Sequence, residues 1–515
     1  MENTNERKQI NRDGAALSAW QKVQLTAPKA TNTLNDATIY DALIVGGGIT
    51  GITTALLLQK QGKQVVLAEA YTLGFGTTGG TTAHLNTFFD TPYNDIESDF
   101  NEDAAKLVAQ CGKEAFDIIK GFVTEYHIDC DLEHKDGYLY AETEEEADIL
   151  DQIFEASKRA GVDVQQSTTN GINVPFKKSI VFKDQGQFHP IKYIYGLASA
   201  FIEAGGIILE NTFIRDSSYQ DGVFNAQSDN INIKAKKLVY ATHLPPGVNL
   251  LDFVCAPYRS YVIGLQLKDE SAYPDCLSYD SKEPYHYFRT HVINNKKYLI
   301  VGGEDHKTGH NSPEAAFKAL EDYANQYYES AEIKFKWSAQ YYTSADGLAY
   351  IGNLPSNNDI YIATGYNGNG MMYGTISGKI ISDMILDKQS PYADLFSPTR
   401  IKPVAGFPDF VKENADVAYR FIADRFSSAK IDSLKDIKAG TGAIVKYDGE
   451  QLAVYKDAEG KVTALNPVCT HAKCIVCFNP SETSWDCPCH GGRFDIHGKV
   501  LTGPPRADLE QIPLK

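Results

Sequence analysis

The sequence lacks the long apolar runs of a membrane protein. It also lacks the excess of basic residues that is typical of a nucleic-acid-binding protein. Its most apolar stretch, residues 42–58, has no charge but contains four glycines and is slightly short for a membrane span. The first 38 residues have no apolar core of the kind that a signal peptide needs. The net charge of −17 makes nucleic acid a poor candidate partner. We therefore expect a cytoplasmic protein with no transmembrane segment.

Cysteine is scarce along most of the chain and concentrated near its end. Four of the nine cysteines are scattered over the first 468 residues. Scattered cysteines most often act as small buried hydrophobic side chains. The other five fall within 21 residues and are interleaved with histidines, namely Cys469, Cys474, Cys477, Cys487 and Cys489. Such a cluster is typical of a metal site. With an ordinary apolar fraction of 43%, the composition predicts a large globular domain followed by a small metal-binding one.

Composition and pattern divide the chain into four stretches, namely 1–38, 39–390, 391–430 and 431–515. We expect the first to be a leader without a motif and the second to be the large domain. The third gains prolines and then an amphipathic segment, in which Phe410, Val417 and Phe421 have the spacing of a linker helix. In the fourth, short strands alternate with Gly and Asp turns, which predicts a small all-β domain.

A glycine-rich turn follows the first predicted strand of the large domain. Gly46, Gly48 and Gly51 form the pattern G-x-G-x-x-G, and an apolar-periodic helix follows. These glycines permit a tight turn, close approach to a pyrophosphate, and close packing of helix on strand. Glu69 ends the next strand, where its carboxylate can accept hydrogen bonds from a ribose. The order of strand, turn, helix and acid predicts a doubly wound α/β domain that binds a dinucleotide, either NAD or FAD.

Further segments resemble, in order, the D-amino-acid oxidase/glycine oxidase family of FAD-dependent oxidoreductases. They are TLGFGTTGGTTAH after Glu69, KKLVYAT, WSAQYYTSADGLAYIG and DIYIATGYNGNGMMYG. The resemblance covers about residues 39–390 and implies FAD, bound by a Rossmann-like α/β domain interleaved with an α+β substrate domain. Besides the residues of the glycine-rich turn and Glu69, it places around FAD the residues Thr77, Thr78, Thr82, Ala241, Thr242, Gly365, Gly368 and Gly370.

The resemblance also implies how these residues are arranged. Gly365, Gly368 and Gly370 would line the flavin ring, with the following helix directing its N-terminus at the pyrimidine end. A helix N-terminus stabilises the negative charge that reduced flavin carries there. The threonines would lie near the pyrophosphate and the flavin.

The substrate-binding residues depart from the family pattern. Amino-acid-oxidising members commonly hold the substrate carboxylate with an arginine shortly before an Asp-Gly pair, where this chain has Gln340 and Tyr341. An amide or a phenol does not replace a bidentate guanidinium. Either another arginine takes over or the substrate is not a simple amino acid. Candidates for the substrate pocket, each of which also fits an ordinary strand or loop role, are Tyr258, Arg259, His286, Arg289 and His189.

The cysteine cluster contains two short metal-binding patterns. Cys469 and His471 form C-x-H, and Cys487 and His490 form C-x-x-H, with 15 residues between the two pairs. Two thiolates and two imidazoles suit a Rieske [2Fe–2S] cluster, although a structural zinc site uses the same ligand types. Two similar loops, each with an extra cysteine, followed by Gly503, Pro504 and Pro505, resemble the Rieske fold over residues 431–515.

The Rieske resemblance carries two further implications. Many Rieske domains have a disulfide between their cluster loops at the positions of Cys474 and Cys489. Respiratory-type domains have serine and tyrosine hydroxyls that stabilise the reduced cluster, whereas this chain has Gly492 and Phe494. We therefore predict a potential in the lower part of the Rieske range of roughly −150 to +300 mV.

Together these patterns predict a dehydrogenase with two redox cofactors. FAD would accept a hydride from an amine or amino-acid-like small molecule, and electrons would pass singly to the [2Fe–2S] cluster and then to a soluble one-electron acceptor. The alternative is an electron-transfer or redox-sensing protein that turns over no small molecule. Oxygen activation, as in ring-hydroxylating oxygenases, would require a mononuclear iron site. The flavin-family segments leave no room in the chain for a domain that would carry such a site.

Overall fold

The structure is a computed structural model that describes residues 12–29, 33–400, 413–417, 429–430 and 434–514. Up to residue 400 the chain builds two large sheets with helices packed on them, and from residue 429 it builds two small sheets. None of the helices in this described part of the chain is long and apolar enough to cross a membrane.

The strands before residue 400 are β1 (Ile39–Val45), β2 (Val65–Ala68), β3 (His84–Leu85), β4 (Glu133–Ala141), β5 (Val164–Ser167), β6 (Lys178–Gln187), β7 (Ile207–Leu209), β8 (Asp216–Gln220), β9 (Val223–Gln227), β10 (Asn232–Tyr240), β11 (Cys255–Leu267), β12 (Leu277–Asp280), β13 (His286–Ile293), β14 (Lys296–Lys307), β15 (Ser330–Ser344), β16 (Tyr350–Leu354) and β17 (Asn357–Thr364). The helices are α1 (Ile49–Lys60), α2 (Thr77–Gly80), α3 (Tyr93–Asp99), α4 (Glu102–Glu125), α5 (Glu144–Ala160), α6 (Pro190–Glu203), α7 (Pro313–Tyr327) and α8 (Gly370–Ile385). Short 3₁₀ turns lie at Leu250–Phe253 and Glu270–Ala272.

The first sheet has a parallel centre, as the strand–turn–helix pattern predicts. Its order is β16–β17–β10–β1–β2–β7, in which every pair except β16–β17 is parallel, and the β8–β9 hairpin extends it beside β10. Ile44 and Leu67 pack in one core and Leu43 and Val66 in the other, so both faces of the central strands are buried.

The second sheet has the order β15–β11–β14–β13–β12–β4–β6–β3, with β5 beside β6, and its described pairs are antiparallel except β12–β4. The chain alternates between the two sheets: β1–β2 and β7–β10 build the first, while β3–β6 and β11–β15 build the second. It then returns to the first sheet with β16 and β17. This confirms the predicted α/β domain interleaved with an α+β substrate domain.

The C-terminal part is all-β, as predicted. Its strands are β18 (Ala429–Lys430), β19 (Thr441–Tyr447), β20 (Glu450–Lys456), β21 (Val462–Leu465), β22 (Cys477–Asn479), β23 (Ser484–Asp486), β24 (Arg493–Asp495) and β25 (Val500–Thr502). The first four form one sheet and the last four another, packed around Trp485 and Phe494. A 3₁₀ turn spans Leu434–Asp436. The two cysteine-bearing loops connect β21 to β22 and β23 to β24.

The segment before β1 packs into the body of the protein. Trp20 is fully buried, and its indole N–H donates to the carbonyl oxygen of Thr81 at 2.6 Å. Arg12 and Asp13 are only 1% and 2% exposed. The stretch expected to be a plain leader therefore contributes buried charges to the fold.

The predicted linker helix is described only in part. Val417 belongs to a helical turn at residues 413–417. Phe410 and Phe421 lie outside the described residues.

Candidate active site and cluster site

The turn between β1 and α1 has the geometry that a nucleotide-binding turn needs. Gly46 has a φ of +111°, and a Cβ there would lie 2.5 Å from the carbonyl oxygen of Ala241. Gly51 lies in the first turn of α1, where a Cβ would lie 1.9 Å from the carbonyl oxygen of Gly46. Both positions therefore exclude a side chain, and this lets α1 begin directly behind the turn.

One cavity brings together the residues that the resemblance places around FAD. Its lining includes Gly46, Gly48, Glu69, Thr77, Thr78, Thr82, Ala241, Thr242, Gly365, Gly368 and Gly370. Gly51 stands outside this lining, because it packs the helix against the turn. At Gly76 and Gly370, which also line the cavity, a Cβ would meet no protein atom within 4 Å. Open space beside bare backbone fits a bound dinucleotide, and the residues present fit FAD.

Glu69 connects the end of β2 to the glycine-rich turn. Its Oε2 accepts the N–H of Gly47 at 2.7 Å and its Oε1 accepts the N–H of Tyr71 at 2.9 Å. Burial raises the pKa of Glu69, and these two N–H groups offset only part of that rise. The carboxylate therefore faces the cavity at the position expected for a ribose-binding acid.

The threonines and α8 complete this part of the cavity. Thr78 Oγ1 accepts the N–H of Ile49 at 3.1 Å at the start of α1, and Thr77 Oγ1 donates to the carbonyl oxygen of Gln340 at 2.7 Å. Helix α8 begins at Gly370, in the lining of the same cavity. The positive ends of two helices thus meet one cavity, which suits a cofactor that carries negative charge.

The part of the cavity near Gly368 is lined by tyrosines and acids. Asp90 Oδ2 accepts the N–H of Gly368 at 2.8 Å, just before α8, and Asp305 Oδ2 accepts the hydroxyl of Tyr341 at 2.7 Å. Tyrosines that line this part with them are Tyr279, Tyr285, Tyr287 and Tyr341. We call these four tyrosines with Asp90 and Asp305 the acidic–aromatic end of the cavity.

Asp305 has the most perturbed carboxylate of this end. Loss of solvent around it raises its pKa to about 7, and hydrogen bonds from neighbouring hydroxyls offset only part of the rise. Its Oδ1 is out of contact with solvent and has no hydrogen-bond partner within the described part of the chain. The negative charge of Asp305 is therefore poorly compensated by the protein and would be stabilised by a cation in the cavity.

The four predicted cluster ligands lie together on the two C-terminal loops. Cys469 and Cys487 are 1% and 2% exposed, and the rings of His471 and His490 lie edge to face with centroids 5.1 Å apart. Hydrogen bonding from Cys469 lowers the pKa of the Cys487 thiol. Both nitrogens of His471 and Nδ1 of His490 are buried without a hydrogen-bond partner among the described residues. Two thiols beside two imidazoles with unpartnered nitrogens fit a [2Fe–2S] cluster of the Rieske type.

A disulfide joins the two loops, as the Rieske resemblance implies. Cys474 is bonded to Cys489, and their sulfurs lie with that of Cys487 within 4.8 Å of one another. Because both disulfide sulfurs are already bonded, they are not available as thiolate ligands. Gly492 offers no hydroxyl to the site, and a Cβ at this position would lie 2.6 Å from Cγ of Pro505.

The C-terminal domain packs against the cavity and, through a cluster loop, against β15. Residues 500–506, including Gly503 and Pro504, line the same cavity as the FAD candidates. The hydroxyl of Tyr342 donates to the carbonyl oxygen of His490 at 3.0 Å, and Gln340 Nε2 donates to that of Gly491 at 2.8 Å. Tyr342 also lines the cavity, so one side chain of β15 contacts both candidate cofactor sites.

Comparison with known families agrees with both sites. The profile of the DAO family, described as FAD dependent oxidoreductase, matches residues 41–384, and the Rieske [2Fe-2S] domain profile matches residues 427–513. The chain belongs to the DAO family of FAD-dependent oxidoreductases. It continues into a Rieske domain, so its cofactors are FAD and a [2Fe–2S] cluster, and the zinc alternative is wrong.

Individual relatives show the same architecture or parts of it. YhfW of Bacillus subtilis (strain 168), whose name describes a Rieske 2Fe-2S iron-sulfur protein, is 32% identical over 93% of this chain and 95% of its own length. The gamma-glutamylputrescine oxidoreductase of Escherichia coli (strain K12) is 23% identical over 69% of this chain and 85% of its own length. The structure of glycine oxidase from Geobacillus kaustophilus superposes with a TM-score of 0.57 at 20% identity, covering 70% of this chain and 99% of that one.

All five substrate-pocket candidates of this oxidoreductase lie outside the lining of the main cavity, and three of them are held by contacts within the flavoprotein part. His286 contacts Asp280 at 2.7 Å and stacks on Tyr323, which holds it between β12 and α7. Arg289 is completely buried and donates to carbonyl oxygens, including that of Ala83 at 3.0 Å, so it braces the backbone behind the cavity. His189 is the N-cap of α6, and burial lowers its pKa to about 3.

The other two candidates belong to contacts with later parts of the oxidoreductase chain. The Tyr258 hydroxyl donates to Glu413 at 3.1 Å and lines a second cavity. Arg259 is 2% exposed and donates to Ser338 at 2.6 Å, with Glu482 of the Rieske domain 3.4 Å away. The prediction that these five residues face the substrate therefore does not match the main cavity, because each is held by protein groups outside its lining, either nearby in the chain, as for His286 and His189, or far along it, as for Arg259.

The residues of the acidic–aromatic end come from four strands and two loops, so the sequence does not show that they meet. Asp305 follows the apolar run of β14, and Asp90 follows two phenylalanines, so each is an acid at the end of an apolar stretch. Each acid can therefore be noticed in the sequence, but the sequence does not show that the two acids line one cavity. Tyr341 stands at the family's arginine position, and Tyr285 and Tyr287 belong to the segment PYHYFRT that contains the candidate His286, so the sequence does point to these three members.

Proposed function

We propose that this oxidoreductase oxidises a small cationic amine that has no carboxylate beside its reacting carbon. The observation that carries the proposal is the acidic–aromatic end of the cavity, where Asp305 and Asp90 stand in place of an arginine. Among the described residues that line the cavity, the arginine is Arg506, which pairs with Asp216 at 2.8 Å beside the Rieske domain. A substrate carboxylate would meet two acids here, whereas an ammonium group would be stabilised by them.

The same residues support the chemistry of amine oxidation. Bound FAD supplies hydride acceptance, and the [2Fe–2S] cluster supplies one-electron transfer. The chain must hold the ammonium group and take one N–H proton, and loss of this proton together with the adjacent C–H hydride turns the ammonium ion into a protonated imine. Asp305, with a pKa of about 7, can accept that proton near neutral pH.

The tyrosines give the cation a second means of recognition. The rings of Tyr285 and Tyr287 have centroids 5.7 Å apart, and both line this end of the cavity. Aromatic faces attract ammonium groups by cation–π interaction, worth roughly 0.5–2 kcal/mol depending on desolvation. A cavity that selects an uncharged apolar substrate would not need Asp90 and Asp305, so the acids and the tyrosines together favour a cationic substrate.

The docked Rieske domain supports a dehydrogenase in preference to an oxidase. Tyr342 and Gln340, both on β15, hydrogen-bond to the cluster loop at His490 and Gly491. Electrons from the cavity therefore have a packed route, through Tyr342, to the loops that carry the proposed ligands Cys469, His471, Cys487 and His490. We propose that they leave the protein one at a time to a soluble acceptor in the cytoplasm; the net charge of −17 disfavours nucleic acid as a partner.

We assign the site residues and domains on the same basis. FAD would contact the cavity residues named above, with Gly51 packing the turn behind it. The flavoprotein domain would span residues 39–390, the linker 391–430 and the Rieske domain 431–515, close to the matched ranges 41–384 and 427–513.

Anaerobic stopped-flow reduction with a panel of amines and amino acids tests the proposal. We expect amines to bleach the flavin and the cluster to be reduced afterwards within one turnover, while matching amino acids reduce the flavin far more slowly. Reduction by amino acids at least as fast as by amines would contradict the substrate class. Absence of flavin reduction by every member, with cofactors fully loaded, would favour the electron-carrier alternative.

A further inference from the structure

Asp252 is a buried acid that the flavoprotein part presents to the Rieske domain. It lies in the 3₁₀ turn Leu250–Phe253, and its Oδ2 accepts the N–H of Asn249 at 2.7 Å. Asn249 in turn accepts the N–H of Leu251 at 2.9 Å, so a reciprocal cap holds the turn. The carboxylate is thereby fixed before any contact with the other domain is considered.

The carboxylate faces His471 across the domain boundary. Asp252 Oδ2 lies 3.5 Å from His471 Nε2, and the two side chains are 1% and 2% exposed. Oδ1 of Asp252 has no hydrogen-bond partner in the described part of the chain, and neither nitrogen of His471 has one there. A buried carboxylate oxygen and a buried imidazole without hydrogen-bond partners are each expected to find one, and here Oδ2 of Asp252 and Nε2 of His471 lie 3.5 Å apart.

The two proposed histidine ligands differ in this respect. Nε2 of His471 lies 3.5 Å from a carboxylate oxygen of the flavoprotein part. His490 is instead bound through its backbone, where its carbonyl oxygen accepts the Tyr342 hydroxyl. An imidazole that binds a metal through one nitrogen carries an N–H on the other, and a carboxylate acceptor for that N–H orients the ring and makes it a more basic ligand.

We propose that Asp252 is a positioning residue for the cluster: its carboxylate accepts the N–H of His471 and lowers the reduction potential of the docked [2Fe–2S] centre. The negative charge favours the oxidised cluster, which carries one more positive charge than the reduced cluster. Reduction adds one electron and neither makes nor breaks a bond to Asp252. The proposal rests on the ligand assignment of His471 and is independent of which substrate reduces the flavin.

The consequence is that the reduction potential of the cluster depends on the packing of the Rieske domain against the flavoprotein part. Asp252 comes from the flavoprotein part and His471 from the Rieske part, so the contact exists only while the domains are packed together. The cluster of the full-length protein is therefore expected to be harder to reduce than the same ligand set without this neighbour.

The test is an EPR-monitored redox titration of the full-length protein carrying Asp252→Asn. The amide oxygen can still accept the N–H of Asn249, so the turn keeps its cap while the charge is removed. We expect the midpoint potential of the cluster to rise and the EPR signal of the reduced cluster to shift. Asp252→Glu, which keeps the carboxylate, should hold the potential nearer the wild-type value.

Asp221→Asn is the matched control, because it removes one negative charge from an exposed turn between β8 and β9. An unchanged or lower potential in Asp252→Asn, or an equal rise in the control, would overturn the proposal. If Asp252→Asn loses its iron while Asp252→Glu retains it, the positioning role stands. Loss of iron from both would assign Asp252 to folding of the turn alone and would overturn it. A failed amine panel leaves these outcomes unaffected, so the two proposals fail separately.

Discussion

At the scale of single residues, the family's substrate-binding arginine is absent from its usual position, where this chain has Gln340 and Tyr341. A guanidinium fixes a carboxylate by two parallel hydrogen bonds, which Gln340 and Tyr341 do not reproduce. Gln340 points its amide at the Rieske loop instead, and Tyr341 hydrogen-bonds to Asp305. At the position where amino-acid oxidisers recognise their substrate, this chain therefore has one residue that contacts the Rieske domain, Gln340, and one that hydrogen-bonds to an acid, Tyr341.

Asp305→Asn is expected to slow flavin reduction by an amine. Loss of a positioned base lowers kcat/KM by about 10²-fold or more. In the wild type the rate should rise with pH through about 7 as the carboxylate ionises, and this step should disappear in the variant. Anaerobic flavin reduction measured across this pH range checks both effects. Asp275→Asn, at a side chain 90% exposed, is the control, and a pH step that persists in Asp305→Asn would refute the assignment.

The same substitution makes a separate prediction about stability. The folded-state pKa of Asp305, about 7, lies above its ordinary value of 3.8. The folded protein therefore binds this proton more tightly than the unfolded chain, and the resulting stability is present below the ordinary value and lost as pH rises to about 7. Asp305→Asn should raise Tm relative to wild type at about pH 8 and change it little at about pH 4. Calorimetry that shows an equal change at both pH values would contradict this.

At the scale of elements, the glycine-rich turn is the least replaceable part of the first sheet. Gly46→Ala would place a methyl group 2.5 Å from the carbonyl oxygen of Ala241 in a left-handed backbone conformation. Because the obstacle is backbone of the neighbouring strand, we expect purified protein with little or no bound FAD. The absorbance of released flavin per mole of protein measures this.

Gly121→Ala is the matched control for that variant. Gly121 lies within α4, and a Cβ there meets nothing within 4 Å. Alanine in a helix is favoured over glycine by about 1 kcal/mol, so this variant should keep its FAD and be slightly more stable. Normal FAD content in Gly46→Ala would show that the turn can shift and would contradict the geometric argument.

Elements marked by local patterns could be predicted from the sequence, and contacts between distant elements could not. The β1–α1–β2 unit and the two cysteine loops depend on residues close together in the chain, such as Gly46 and Glu69, so their spacing carries the information. Arg259 and Arg289 look like substrate ligands because a lone arginine in a strand has no visible partner. Glu482, which faces Arg259, lies 223 residues further along. The role of such an arginine is decided by side chains that pack against it from distant parts of the chain.

At the scale of the whole molecule, buried charges hold the two domains together. Arg493 of the Rieske domain is completely buried, with its Nε donating to Asp486 at 3.0 Å and its Nη1 3.1 Å from Asp13. Although burial opposes it, Arg12 and Arg493 hold the pKa of Asp13 at about 2. The N-terminal segment thus supplies a charge that the interface requires, and this argues against a freely swinging Rieske domain.

Arg493→Gln is expected to weaken the docking of the Rieske domain. It leaves Asp13 and Asp486 with one cation fewer in a buried site, at a cost of about 3–5 kcal/mol. Reduction of the flavin by substrate should change little, whereas electron transfer to the cluster should slow. Stopped-flow traces at flavin and cluster wavelengths separate the two steps. Arg159→Gln, which breaks a half-exposed pair with Glu97, is the control, and equal cluster kinetics in both variants would contradict the role.

The contact between Asp13 and Arg493 also has a consequence for biosynthesis. Asp13 precedes Arg493 by 480 positions, so it leaves the ribosome long before the partner that it meets in the folded protein. At about 5–20 residues per second, that interval is roughly 25–95 seconds. Throughout it, Asp13 lacks its partner from the Rieske domain, and the nascent flavoprotein domain presents an open docking face to chaperones or proteases.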